Sequence, residues 1–310
     1  MIKYFIKRFI HALVVLIGVS MVVFLIVHLS GDPALLMLPP EATSEDIQKF
    51  RETMGFNDPL WVQYGRFLHR AVRGDFGTSL HHNEPAIAIV FERLPATFEL
   101  TIASMIIAIL LGIPSGIIAA VRRNTLLDTL VRIGALLGQA TPIFWMGIML
   151  VLLFSVNMRI FPTSGRGQFI QLVMPAFTLG FYSVAMIARL LRSALLEVLE
   201  QDYIRTARAK GLSPHSVILK HALKNSLIPV VTIIGLQTGH LLGGAVITES
   251  IFAWPGVGRL AVQSIYARDF PVVQAVVFIV ATLFVFINFL VDLSYTWLDP
   301  RISLGRGQNK

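Results

Sequence analysis

An all-α membrane protein of six transmembrane helices is the fold class predicted by the sequence, and three observations predict it. Of 310 residues, 55% are hydrophobic and only 14% charged, against about 25% charged in an ordinary soluble chain. The apolar residues are gathered into six stretches of 20 to 26 residues that hold no Asp, Glu, Lys or Arg. Each is long enough for a helix rising about 1.5 Å per residue to cross a hydrocarbon core of about 30 Å. If alternate connections lie on opposite faces, 16 of the 26 Lys and Arg fall on one side, the asymmetry that marks a cytoplasmic face.

The first span is Phe9 to Leu29, preceded by Lys3, Lys7 and Arg8. Its 21 uncharged residues exceed a secretory signal core, and the exit His28-Leu29-Ser30-Gly31 lacks a small-residue cleavage site, so it reads as an uncleaved anchor. A long outer loop follows, Ser30 to Glu99. Within it Thr43 to Asp46 resembles a capping signal, with Ile47, Phe50 and Met54 at helical spacing before Gly55. A second helix is expected from Pro59, with Leu60, Trp61, Tyr64, Phe67, Leu68 and Ala71 as its apolar face. These helices either pack as a cap or meet an outside partner. The second span, Leu100 to Val121, ends on Arg122 and Arg123; the third runs from Ile133 to Met158 and the fourth from Phe169 to Ala188. The fifth covers Leu227 to Thr248 and the sixth Phe270 to Val291. Both termini are thereby placed in the cytoplasm. The net charge of +8 is explained by topology, so nucleic acid is not needed as a partner.

Between the fourth and fifth spans, the inner segment Arg189 to Ser226 holds the largest basic cluster and keeps a helical grammar. A helix through Tyr203–Lys210 meets Gly211, and Ser213-Pro214 then supplies an N-cap and a first helical residue. Val217, Ile218, Ala222 and Leu223 share one face of the second helix, with Lys220 and Lys224 off it. A loop clamped between two membrane spans is poorly placed to lay its second helix in a major groove. The elbow therefore docks on something else or stays solvated.

The chemistry that is missing narrows the function. There is no cysteine, which removes thiolate metal sites, disulfides and a Cys nucleophile. No phosphate loop, H-E-x-x-H or G-x-S-x-G occurs. Gly256 to Ala261 matches G-x-G-x-x-A but has no preceding strand, so it reads as a turn. His69, His81 and His82 form too weak a pattern for a metal site. No carboxylate lies within the six runs, which leaves an ion-coupled carrier or an intramembrane aspartyl protease without its reagent. Among the polar side chains inside, Gln139, Gln237, His240 and Asn288, along with hydroxyls, either bond between helices or line a path. Gly235, Gly239 and Gly243 repeat every four residues on the fifth span. A bundle with a docking elbow and no energy-converting site implies an engine on another chain. A membrane-embedded enzyme and a self-sufficient carrier or channel are the competing readings.

The elbow sequence Asp202 to Ser213, followed by His221-Ala222-Leu223-Lys224-Asn225-Ser226-Leu227-Ile228-Pro229, resembles the cytoplasmic signature of binding-protein-dependent ABC importer permeases. More narrowly it is similar to the first of the two membrane subunits in the dipeptide, oligopeptide, glutathione and nickel branch. Gly31-Asp32-Pro33, Gly74-Asp75-Phe76-Gly77, Trp254-Pro255-Gly256-Val257-Gly258 and Arg268 to Gln274 support the likeness. Against the wider pattern E-A-A-x3-G-x9-I-x-L-P, Arg205, Thr206 and Ala207 stand at the first three positions, Gly211 and Leu223 agree, and His221 and Lys224 replace Ile and Pro. The resemblance implies a type I ABC importer permease fold in a bacterial inner membrane. Residues 1–96 would form the anchor and outer loop, 97–296 a five-helix core and 297–310 a cytoplasmic tail. It implies an ATPase-coupling loop of Arg205, Ala207, Gly211, Leu212, Ser213, Pro214 and His215, with a short coupling helix near Leu212 to His215. The implied partners are two ATP-binding subunits, a second homologous permease and an external solute-binding protein, with ATP and Mg held by the ATPases. No catalytic residue, metal or cofactor is then expected on this chain, and Gln237, Gly239, His240 and Asn288 are the candidates for the path. Dipeptides or oligopeptides are the expected solutes, with glutathione or nickel chelates as alternatives.

Overall fold

A computed structural model describes residues 2–29 and 42–298 of the chain. Gly31-Asp32-Pro33 and the tail beyond Leu298 lie outside the described residues. Among the described residues the regular structure is helical, apart from a β-bridge between Thr78 and Pro85. In chain order the helices are α1 (Ile2–Leu29), α2 (Ser44–Met54), α3 (Leu60–Val72), α4 (Ala86–Val121), α5 (Leu126–Ala140) and α6 (Ile143–Leu150), which continues as a π-helical stretch, Val151–Asn157. Next come α7 (Phe169–Leu199), α8 (Asp202–Ala209) and α9 (Pro214–Ser216). A π-helical turn, Val217–Ala222, joins α9 to α10 (Leu223–Ile251); α11 (Val257–Tyr266) and α12 (Phe270–Leu298) follow. The chain forms two compact units, Met1–Thr97 with Pro255–Phe289, and Phe98–Trp254 with Leu290–Lys310.

Five helical stretches are long and apolar enough to cross a membrane: Arg8–Ile26, Ala86–Val121, Phe169–Leu199, Pro214–Gly243 and Phe270–Val291. The expected third span differs. Its charge-free run is divided between α5 and α6, which meet at 109°, so that six spans result only if the bent pair counts as one. The break is at Thr141-Pro142, where proline lacks an N–H and crowds the preceding residue out of the helical region. Thr141 accordingly has φ −81° and ψ 122°. A scan for charge alone is blind to that stop.

In the first unit, the capping expectation for α2 is realised. Thr43 Oγ1 accepts from the Asp46 backbone N–H, and the Asp46 carboxylate accepts from the Thr43 N–H and hydroxyl. Those Thr43 hydrogen bonds, side chain first and then backbone, hold the Asp46 carboxyl below its ordinary range. Gly55 closes the helix at φ +69°. The α3 face is shifted from the expected one. Gln63, Phe67 and Ala71 are buried, whereas Leu60 and Trp61 are exposed, Trp61 at 76%. Phe67 and Tyr64 pack on Phe24 of α1, with ring centroids 5.9 and 5.5 Å apart, and the Tyr64 hydroxyl pairs with Ser20 at 2.8 Å. This part of the connection between α1 and α4 thus packs on α1.

The same unit gathers two of the sequence motifs. Phe76 lies 5.4 Å from the Phe278 ring. The Ser79 hydroxyl donates to the buried Asp269 carboxylate, and accepts from the backbone N–H groups of His81 and His82. His81 Nε2 donates to Ala267 O at 2.8 Å. Gly256 is the N-cap of α11, and the Val257 N–H donates to Thr97 Oγ1 at 2.9 Å.

Candidate functional site

The second unit is organised around α7, which runs eleven residues past the charge-free limit at Ala188. Small residues set how closely its neighbours approach. A Cβ added to Gly180 would stand 2.6 Å from Ser104 O of α4, and one on Gly138 of α5 2.7 Å from the Ala185 Cβ. Contacts this short leave no room for a methyl group. The glycine series noticed in the sequence, Gly235, Gly239 and Gly243, does not form one such seam. A Cβ on Gly235 would meet Val291 at 2.8 Å, and one on Gly243 would meet nothing within 4 Å. The glycines at the tight α7 crossings, Gly112, Gly116, Gly138 and Gly180, are spread over three helices.

Below the spans, α7, α8 and the π-helical turn close a small core of their own. Leu195, Ile204, Ala207, Val217 and Ala222 are buried together with Ala120 of α4. Asn225 Nδ2 donates to Tyr203 Oη at 2.8 Å, and Ser226 Oγ donates to Ala222 O at 2.9 Å. The elbow is therefore a packed body rather than a flexible loop. The turn between its arms is set by Gly211 at φ +77°. Ser213 caps the next helix by accepting from the Ser216 N–H at 3.3 Å, and Pro214 occupies its first turn.

This geometry alters one expectation. The helix that stands apart is α8, Asp202–Ala209; of the expected segment Leu212 to His215 only Pro214 and His215 are helical, in α9, which runs on into the π-helical turn. Leu212 and Ser213 lie in the connection, because the left-handed Gly211 ends one helical path and the Ser213 cap starts the next. Of the expected coupling residues, Ala207 is buried in the elbow core, whereas Arg205, Gly211, Leu212, Ser213, Pro214 and His215 are exposed. On the elbow Arg205, Arg208, Lys210, Lys220 and Lys224 are exposed, and so are Tyr203, Leu212 and Leu219.

Sequence reading missed the ionic centre of this unit. The Asp128 carboxylate, on α5, is fully buried and accepts from Arg192 of α7 through Nε at 2.7 Å and a terminal nitrogen at 2.9 Å. It also accepts from the Asn124 N–H at 3.0 Å, and Arg132 approaches it to 3.6 Å. Both partners lie outside the charge-free runs, so nothing local pointed to the pairing.

The path candidates are only partly brought together. Gln237 is buried and its Nε2 donates to Ser183 Oγ at 3.3 Å. A cavity of about 300 Å³ is lined by Gln237, His240, Ser183, Tyr182, Ile143 and neighbouring leucines. Gly239 is buried and His240 exposed. Asn288 belongs to the other unit, where its Nδ2 donates to Phe284 O of its own helix at 2.8 Å. Gln139 Nε2 is buried without a hydrogen-bond partner.

Residues 112–304 match the family described as the inner membrane component of binding-protein-dependent transport systems, and residues 1–101 match its N-terminal companion. The chain is 43% identical to the dipeptide transport system permease protein DppB of Alkalihalophilus pseudofirmus, over 97% of this chain and 99% of that one. It is equally similar, at 43% over the same shares, to the glutathione transport system permease protein GsiC of Escherichia coli K12. Among solved structures, the MetNI methionine ABC transporter in inward facing conformations matches with a TM-score of 0.57 at 20% identity. That match covers 68% of this chain and 96% of the other.

Proposed function

Since the chain belongs to the inner membrane component family of binding-protein-dependent transport systems, we propose that it is one of two permease subunits of an ATP-driven importer for dipeptides or short oligopeptides. The observation that carries this reading is the near full-length similarity to a dipeptide permease. Import of glutathione, itself a small peptide, is the second reading, favoured by equal similarity to a glutathione permease.

In the mechanism, two ATP-binding subunits hold ATP and Mg and grip the elbow over the exposed Arg205, Gly211, Leu212, Ser213, Pro214 and His215, with Ala207 packed beneath them. The exposed cations and apolar side chains of the elbow fit an acidic, partly apolar groove on such a subunit. ATP closes those subunits; because it binds the closed state better, it biases the permease toward its outward-facing form. A second permease completes the conduit and an external binding protein delivers the solute. Gln237, Gly239 and His240 line this chain's share of the path. This subunit holds no cofactor or metal and performs no hydrolysis, and both of its ends lie in the cytoplasm.

Reconstitution tests the reading directly. Vesicles holding this chain, its sister permease, two ATPases and the binding protein should accumulate labelled dipeptide only with ATP, and omission of any one protein should abolish accumulation. Concentrative uptake by this chain alone would overturn it, and competition with glutathione decides between the two solutes.

A further inference from the structure

The pair of buried Asp128 and half-buried Arg192 occupies a mechanical junction, and a physical argument gives it a task. Arg192 and Leu195 are one helical turn apart on α7; Leu195 lies in the elbow core beside Ile204, Ala207, Val217 and Ala222. Asp128 sits in the first turn of α5, and its second oxygen also holds the Asn124 N–H in the connection from α4. Beyond the 109° bend, α6 begins at Ile143, which lines the cavity of Gln237 and His240. One carboxylate thus joins the helix that bears the elbow to the bent pair that reaches the candidate path. A two-bond guanidinium–carboxylate contact fixes orientation as well as distance. Arg132 and Arg192 both face the same carboxylate, so neutralising it leaves two cations close together.

We propose that Asp128 and Arg192 are positioning residues that make the α5–α6 pair follow the elbow, so that breaking their contact separates ATP hydrolysis from solute movement. The proposal rests on the permease reading above. It goes beyond it by naming the link inside this subunit through which the motion passes. Buried ion pairs are often no more stabilising than apolar residues of equal volume, which favours a directional role over a stabilising one.

The test uses the whole importer in proteoliposomes, with solute uptake and phosphate release measured on the same preparation. Asp128→Asn should lower the number of solutes moved per ATP by about tenfold, within the range of a typical coupling free energy. Copurification of the partner subunits should be unchanged. Arg192→Lys, which keeps the charge and loses the fork, should fall between Asp128→Asn and the unaltered protein. Should Asp128→Asn fail to assemble, the double replacement Asp128→Leu with Arg192→Met removes both charges of the pair together. It should assemble and show the same loss of stoichiometry. A double variant that keeps the original number of solutes per ATP overturns the proposal, and so does one that does not assemble, which would assign the pair to folding. An unaltered importer without ATP-dependent uptake would instead refute the permease reading itself, a result distinguishable from either.

Discussion

Replacing Gly211 separates a fault within this chain from a fault at its partner. The residue has φ +77°, where a residue bearing a Cβ is strained, and a Cβ built there meets no atom within 4 Å. Alanine and tryptophan therefore incur the same backbone cost, about 1–2 kcal/mol, and neither has a neighbour to strike at that atom. In the purified subunit, both variants should lower the midpoint of denaturant unfolding by a similar amount. A groove closing over the elbow would distinguish them, since overpacking a filled site costs about 1–3 kcal/mol more, or roughly tenfold in affinity. Copurification of the ATPase subunits and solute uptake should both survive Gly211→Ala and fall about tenfold further in Gly211→Trp. If Gly211→Trp binds the ATPases and transports as well as Gly211→Ala, no partner covers that turn and the coupling role of the elbow fails.

Gly180→Ala should destabilise the subunit by about 1–3 kcal/mol, because the added methyl group would meet Ser104 O at 2.6 Å. Gly134→Ala, on the open side of α5 with nothing within 4 Å, should be neutral or stabilising by up to about 1 kcal/mol; thermal melts of the two purified variants provide the comparison. Ser79→Ala removes the hydroxyl donor to buried Asp269 and the acceptor for two backbone N–H groups. It should cost about 1–3 kcal/mol and be seen as faster proteolysis of the outer loop around His81. Gln237→Leu keeps the volume and removes the bond to Ser183. Uptake should drop while copurification of the partners stays the same, and unaltered uptake would take Gln237 out of the path.

Local chemistry made much of this fold readable from the chain. The lack of charge over 20 or more residues is a property of each segment alone, so the spans could be recognised without their neighbours. The Thr43–Asp46 cap and the Ser213-Pro214 helix start are likewise set within four residues. The same locality explains the errors. Hydropathy could not register that Pro142 folds the third run to 109°, nor that α3 would bury Gln63 and turn Trp61 outward. That α8 stands apart while Pro214 and His215 open a longer helical run depended on the backbone at Gly211.

The sequence by itself determined the membrane class, most of the spans and the place of the elbow, because each follows from contacts with lipid, water or adjacent residues. Only the tertiary structure could decide that Asp128 meets Arg192 across 64 positions, or that Gly180 must be bare beneath Ser104. Such pairings depend on which helices pack together and at what rotation, and no single segment carries that information.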